Sequence, residues 1–156
     1  MEKQSLTDRL SQLHASAVHD VLRQIGCEDF VLPNTIKPIE STQKLAGKIF
    51  TIEGEITTGH TPHDTLIEWT SLLSSIPKDY VGVCQPNTSE VALMGELSAE
   101  TLQKRGVIGY LVDGGCRDVS IIKDLNFTVF CSFNTPKDVV GLSLIHISEP
   151  TRLSTI

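Results

Sequence analysis

The feature that most constrains this fold is the alternation of short apolar runs with segments of helical spacing. Apolar and β-branched residues cluster at 46–55, 80–84, 107–112 and 127–130, and a stretch with helical periodicity separates each cluster from the next. Strands that are joined through helices need crossover connections, which make neighbouring strands parallel. The pattern therefore predicts the α/β class, with a largely parallel central sheet.

Start and stop signals set the boundaries of the predicted helices. Thr61 is a plausible cap with Pro62 at the first helical position, and Gly26 and Gly106 are placed to end the helices that precede them. The spacing predicts four helices, at 7–25, 62–76, 95–105 and 119–125.

Composition excludes several functional classes. The chain has 156 residues, a formal net charge of −6 and 40% hydrophobic residues, which is typical of one globular domain. No basic patch is present to neutralise phosphates, so we expect no nucleic-acid partner. No apolar run approaches the roughly 20 residues of a membrane helix, and the polar N-terminus has no signal core. These features, with four cysteines that form no CxxC pair, predict a cytoplasmic protein with free thiols.

The segment GVIGYLVDGGCRDV, residues 106–119, is the first candidate site. We expect a glycine turn at Asp113–Asp118, directly after a strand. Arg117 carries a fork of donors that suits a carboxylate, and Asp118 supplies hard oxygen that suits Mg²⁺ or Mn²⁺. The alternative is structural: an Arg–Asp pair also commonly marks the start of a helix, where Asp favours the dipole and Arg is solvated.

The segment MGELSAE is the second candidate site. Gly95 precedes a predicted helix start, where unpaired backbone N–H groups can cradle a carboxylate or a phosphate. Glu96 could act as a base, although an acidic residue in a first turn is more commonly a dipole partner. Ligands of parallel sheets bind outside the carboxyl ends of the strands, so both segments are expected at that edge.

Other candidates are weaker. Cys116 could be a nucleophile, but no histidine is near it in the sequence. His60, His63 and Asp64 suggest a metal, yet a cap and a solvated surface are the commoner explanation. His14 and His19 have no ligand pattern around them.

The segment GELSAETLQKRGVIGYLVDGGCRDV resembles the signature of the RraA-like family, which includes class II 4-hydroxy-4-methyl-2-oxoglutarate aldolases. The spacing from Gly95 to Arg117 (117 − 95 = 22 residues) fits that signature, and VHDVL, KLAGKIFTI and LNFTVFCSFNTPKDVVG also resemble family segments. The resemblance implies an α/β/α sandwich of the phosphohistidine-domain type and a homotrimer with sites near subunit boundaries.

By position, the resemblance implies that Gly95, Glu96, Leu97 and Ser98 bind the substrate, that Arg117 binds its oxygens and that Asp118 ligates a divalent metal cation, Mg²⁺ or Mn²⁺. The implied activity is that of a lyase, either retro-aldol cleavage of 4-hydroxy-4-methyl-2-oxoglutarate-type 2-oxo acids or decarboxylation of oxaloacetate to pyruvate. No lysine is expected beside the site for a Schiff base, which favours metal over imine chemistry. The alternatives are a non-catalytic regulator that inhibits an RNA-degrading endonuclease and a domain with a vestigial site.

The resemblance stops after Gly141. The remaining string, LSLIHISEPTRLSTI, resembles the translation of a sequencing adapter. We therefore expect one RraA-like domain at 1–141, incomplete at its C-terminus, and a non-native tail at 142–156. The other possibility is a divergent tail with a strand at SLIHI. A chain that lacks the final strands is expected to be poorly soluble or inactive.

Overall fold

The computed structural model describes residues 5–56, 61–140 and 143–147. In chain order, the elements are α1 (Leu6–Ser11), α2 (Ala15–Gln24), β1 (Lys37–Pro38), β2 (Lys48–Ile56), α3 (Pro62–Ser75), β3 (Tyr80–Gln85), β4 (Ala92–Met94), α4 (Glu96–Lys104), β5 (Gly109–Cys116), α5 (Val119–Asp124), β6 (Thr128–Asn134) and β7 (Ser143–Ile147). None of the helices within these ranges is long and apolar enough to cross a membrane.

The strands form one sheet in the order β1-β6-β5-β3-β2-β7, and β4 also pairs with β5. The inner pairs β2–β3, β3–β5, β4–β5 and β5–β6 are parallel, whereas the outer strands β1 and β7 are antiparallel to their neighbours. The predicted α/β class and the largely parallel sheet are therefore confirmed. Each crossover moves the chain in the same direction across the sheet, from β2 to β3, β5 and β6. Right-handed crossovers in one direction place their helices, α3, α4 and α5, on the same face.

The main core lies between these three helices and the sheet. Tyr110 and Val112 of β5 and Val129 of β6 are completely buried, as are Leu102 of α4 and Ile122 of α5. On the other face, Thr51, Val83 and Leu111 are partly exposed, and with the segment before β1 they line a cavity of about 300 Å³. The two faces of the sheet are thus unequally covered.

One predicted helix is wrong in its continuity. The spacing predicted a single helix over 7–25, but the structure breaks it into α1 and α2. Ser11 Oγ donates to the carbonyl oxygen of Asp8 (2.8 Å), and His14 is extended (φ −83°, ψ 139°) as the N-cap of α2. A serine that bonds to the backbone competes with helix propagation, which the apolar spacing does not report. Neither helix has a buried residue.

The predicted glycine turn at Asp113–Asp118 is also wrong in its first part. Strand β5 continues through Cys116, so Gly114 and Gly115 lie inside a strand. A Cβ on Gly114 would lie 2.7 Å from Pro86 Cγ, and one on Gly115 would lie 2.5 Å from the carbonyl oxygen of Val91. These glycines are therefore required by close packing, and not by a tight turn.

The register between β5 and β6 shifts within this same stretch. Val112 is opposite Cys131 and Gly115 is opposite Phe133. Between these two pairs β5 advances by three residues (115 − 112) and β6 by two (133 − 131). One extra residue in one strand is the signature of a bulge, which re-aims the side chains that follow it.

Candidate active site

Strand β4 brings the two candidate segments together. It pairs in parallel with the end of β5, and Met94 is opposite Cys116. The N–H group of Arg117 donates to the carbonyl oxygen of Met94 (2.9 Å). Because both strands end here, Gly95 and Arg117 emerge side by side at the carboxyl edge of the sheet. Sequence reasoning placed both segments at this edge but missed β4, whose three residues are too few to show a period.

Asp118 connects the two segments through its carboxylate. The backbone of Asp118 adopts the left-handed conformation (φ 54°, ψ 33°), which is uncommon for non-glycine residues and which Asp tolerates better than most. Its Oδ2 accepts from the backbone N–H of Glu96 (3.3 Å) and lies 3.2 Å from Arg117 Nε. The side chain makes no capping bond to α5, which begins at the next residue. The Asp118 side chain therefore accepts a hydrogen bond from the first turn of α4 and makes none to the first turn of α5.

Gly95 is required by space. Its φ of −151° is ordinary extended backbone that any residue adopts. A Cβ at this position would lie 3.0 Å from both Arg117 Cγ and Asp118 Oδ2, and 3.1 Å from Arg117 Nε. A side chain here would displace the Arg–Asp pair.

Arg117 is held by two carboxylates at different nitrogens. Its Nε contacts Asp118, and its Nη1 lies 3.4 Å from Oδ2 of Asp138. The Arg117 side chain is 37% exposed, so the guanidinium is accessible from the sheet edge. Asp138 belongs to the loop after β6 and was not among the predicted site residues. The signal that could have found it is a carboxylate shortly after a strand that neighbours β5.

The first turn of α4 presents backbone donors to the same space. The first intrahelical bond runs from the N–H of Ala99 to the carbonyl oxygen of Gly95 (2.9 Å), so the three preceding N–H groups have no intrahelical acceptor. Asp118 engages that of Glu96. The N–H groups of Leu97 and Ser98 are the remaining donors with which this turn could bind an anion.

The side chains of this turn point in different directions. The Ser98 hydroxyl is buried and accepts a bond from Trp69 Nε1 (2.9 Å), which joins α4 to α3. The Leu97 side chain is 72% exposed. If Ser98 contacts a substrate, it therefore does so through its backbone and not through its hydroxyl.

The thiols near the site are poorly suited to nucleophilic chemistry. Cys116 is completely buried, and a hydrogen bond with Cys131, together with burial, raises its pKa. The same hydrogen bond lowers the pKa of Cys131. Burial raises the pKa of Cys84 to about 12. Because the thiolate is the reactive form, the neutral Cys116 does not fit the nucleophile considered from the sequence.

The histidines do not form a metal site in the described ranges. Asp64 Oδ2 accepts from the N–H of Thr61 (3.3 Å) and the N–H of Asp64 donates to Thr61 Oγ1 (3.2 Å), which is the capping box of α3, and His63 is exposed. His60 lies outside the described residues. His19 contacts Asp20 and the ring of Phe30, and His14 is exposed. No group of three or more His, Cys, Asp or Glu side chains arranged for a metal occurs among the described residues.

Comparison with known proteins agrees with this architecture. A family model described as "RraA-like: Aldolase/RraA" matches residues 15–148. A protein of Halalkalibacterium halodurans named "Putative 4-hydroxy-4-methyl-2-oxoglutarate aldolase" is 27% identical over 104 residues, which is 67% of this chain and 47% of that protein. The chain spans less than half the length of the curated relatives that it matches.

Solved structures have the same fold. A crystal structure described as novel cellulases from gut-associated microbes superposes with a TM-score of 0.83, at 25% identity, over 96% of this chain and 70% of that one. Streptomyces coelicolor RraAS2, described as an unusual member of the RNase ES inhibitor RraA protein family, gives a TM-score of 0.77 at 18% identity, over 94% of this chain and 73% of that one.

Proposed function

The chain belongs to the RraA-like family, and we propose that it is a divalent-metal-dependent lyase of 2-oxo acids. The proposed reactions are retro-aldol cleavage of 4-hydroxy-4-methyl-2-oxoglutarate-type acids and decarboxylation of oxaloacetate to pyruvate. The observation that carries the proposal is the hydrogen bond from the Glu96 N–H group to Asp118 (3.3 Å), which brings a guanidinium, a carboxylate and a helix start into one space. The aldolase name of the Halalkalibacterium halodurans relative supports it.

The residues present fit a cation that keeps most of its water. Both contacts of Asp118 use Oδ2, which leaves Oδ1 to ligate an ion. Mg²⁺ is commonly bound through one or two carboxylates with several waters retained, so one protein carboxylate is sufficient. The site does not fit an ion that needs several histidine or thiolate ligands, since no such cluster occurs in the part of the chain described.

Each residue would have a defined task in this chemistry. The N–H groups of Leu97 and Ser98 would hold the substrate carboxylate at the positive end of α4. Both proposed reactions leave an enolate whose charge develops on the former keto oxygen, and Arg117 would stabilise that charge. A divalent ion held by Asp118 would supply further stabilisation of that charge. Asp118 would hold the ion and orient Arg117.

The test is pyruvate release from oxaloacetate with Mg²⁺, with and without a chelator, in a chain that has been repaired at its C-terminus. This repaired chain is the unmodified chain with which every variant below is compared. We expect metal-dependent turnover that falls by about 100-fold or more in Arg117→Ala, a loss typical of removing a group that stabilises developing charge. Arg23→Ala is the matched control, because Arg23 lies on α2 and pairs only with Asp20 among the described ion pairs. Equal turnover in Arg117→Ala and the unmodified chain would contradict the proposal.

A second candidate is a regulator that binds and inhibits an RNA-degrading endonuclease. One observation favours it: Asp118 and Arg117 stabilise each other and the start of α4, so they have a structural role that does not need catalysis. A chain without turnover that inhibits RNA cleavage by such an endonuclease would support this function over the first.

We also propose the homotrimer that the family resemblance implies and the non-native origin of residues 142–156. Strand β7 pairs with β2 and the family model reaches residue 148, so part of the tail can occupy a strand position. Light scattering measures the assembly state. Sequencing of the source genomic DNA tests the tail, and codons for residues 142–156 at that locus would contradict its non-native origin.

A further inference from the structure

We propose that Asp138 is a positioning residue that fixes the guanidinium of Arg117 for an anionic ligand. This inference rests on the proposed function, because it concerns the same site. Asp138 Oδ2 lies 3.4 Å from Arg117 Nη1, on a different nitrogen from the one that Asp118 contacts. Two carboxylates on different nitrogens restrict rotation of the planar group, whereas one contact would leave it free to swing.

The loop that carries Asp138 is anchored on both sides of it. The carbonyl oxygen of Lys137 accepts from the N–H of Ala92 (2.7 Å), at the start of β4. Val139 is 7% exposed and belongs to the core. The N–H of Val140 donates to Asp138 Oδ1 (3.2 Å), which orients the carboxylate and leaves Oδ2 for the arginine. The carboxylate therefore has a contact of its own besides the one with Arg117.

This arrangement links three parts of the chain at one point. Arg117 follows β5, Asp118 reaches the start of α4, and Asp138 is carried by the loop after β6. Immobilising a long side chain in advance removes an entropy cost from ligand binding. The contribution of Asp138 is thus expected in affinity and orientation, and it needs no direct contact with the ligand.

The experiment compares Asp138→Ala, Asp138→Asn and Glu90→Gln with the unmodified chain. Glu90 is the matched control, since it pairs with Lys137 in the same loop (2.8 Å) and its side chain contacts neither Arg117 nor Asp118 among the recorded ion pairs. The probe is oxalate, a planar dianion, titrated by calorimetry in the presence of Mg²⁺. The second measurement is the ¹⁵N–¹H resonance of the Arg117 Nε–H group in the protein without metal or oxalate.

We expect Asp138→Ala to weaken oxalate binding about tenfold and to shift or broaden the Arg117 Nε–H resonance. Asp138→Asn keeps an acceptor oxygen and is expected to recover part of the affinity, and Glu90→Gln is expected to match the unmodified chain. If the unmodified chain binds oxalate and Asp138→Ala binds it equally, the positioning role is overturned.

Two further outcomes separate this inference from the proposed function. If Glu90→Gln weakens binding as much as Asp138→Ala, the effect belongs to the loop, and the role of Asp138 is overturned. If the unmodified chain does not bind oxalate, the proposed lyase function fails, and the Arg117 resonance alone decides the positioning role. An unchanged resonance in Asp138→Ala would then overturn that role.

Discussion

Helices α3 and α4 pack against each other, yet their first turns are stabilised in opposite ways. At α3, Thr61 and Asp64 satisfy each other's backbone N–H groups within three residues. At α4, the N-cap is Gly95, which has no side chain to offer, and the acceptor for Glu96 comes from Asp118, 22 residues further along the chain. The first turn of α3 is capped by residues of its own segment, whereas the first turn of α4 depends on a carboxylate from the loop after β5.

This difference bears on the ligand site proposed at the start of α4. A capping box satisfies donors locally and can be recognised from four consecutive residues. A start that is satisfied from a distance stays coupled to the loop that supplies the carboxylate, and its other donors face the same space. The α4 start is therefore the one that a small anion can share with Arg117 and Asp118, and the following variants test that contrast.

The largest effect is expected from removing the two capping carboxylates in turn. Asp118→Ala should lower oxaloacetate turnover by about 100-fold or more, because it removes the proposed ion ligand and the partner of Arg117. Asp64→Ala should leave turnover unchanged and cost only the stability of a local cap. Steady-state kinetics and Mn²⁺ binding by paramagnetic resonance measure both. Similar turnover in the two variants would remove the contrast between the two helix starts.

The next effect concerns the hydrogen bond that joins the two helices. Trp69→Phe removes the donor to the buried Ser98 hydroxyl and leaves that oxygen without this partner. We expect the free energy of unfolding to fall by about 2 kcal/mol, the usual cost of an unsatisfied buried polar group. Urea denaturation measures it. A double variant with Ser98→Ala should recover part of the loss, and no recovery would mean that the indole mainly packs.

A smaller effect is expected at the crowded glycine. Gly95→Ala puts a Cβ 3.0 Å from Arg117 Cγ and Asp118 Oδ2, so the pair must shift by a few tenths of an ångström. Turnover should fall about tenfold, which corresponds to about 1.4 kcal/mol, while stability changes little. The control is Gly26→Ala on the exposed turn after α2. It should strain the backbone (φ +82°) without changing turnover.

The smallest effect is expected at the self-contained start. Thr61→Ala removes the hydroxyl that accepts from the N–H of Asp64 (3.2 Å), and we expect a loss of about 1 kcal/mol in stability. Turnover should be unaffected, because no contact runs from Thr61 to the Arg117–Asp118 pair among the recorded hydrogen bonds. Thr61→Ser should restore the stability, and a variant that lowers turnover with stability intact would contradict this assignment.

Local signals in the sequence predicted the parts of the fold that depend on local interactions. The cap at Thr61, the helix starts at Gly95 and after Asp118, and the strands β2, β3 and β6 follow from periodicity and boundary residues. The break between α1 and α2 was missed because the apolar spacing continues between Ser11 and Ala15, where the backbone is not helical. Strand β4 was missed because three residues carry no period.

The site was only partly predictable for a similar reason. Arg117 and Asp118 attract attention by residue type, and Gly95 by its position before a helix. Their mutual contacts, and the role of Gly114 and Gly115 as packing residues within β5, arise from neighbours that are distant in sequence. Asp138 lies in a segment that resembles the family but was given no role there, and the parallel pairing of β5 with β6 brings its loop to Arg117.

The extra residue of β5 between Val112 and Gly115 has a consequence for how this protein can change. Successive side chains of a strand project to alternate sides, and a bulge absorbs one additional residue so that the pairing on either side of it keeps its faces. Removing one residue from this stretch would leave two residues of β5 against two of β6, which abolishes the bulge and its local re-aiming of the side chains before Arg117. The number of residues in this segment is thus constrained as well as their identity. A one-codon deletion can test this constraint, whereas no single substitution can.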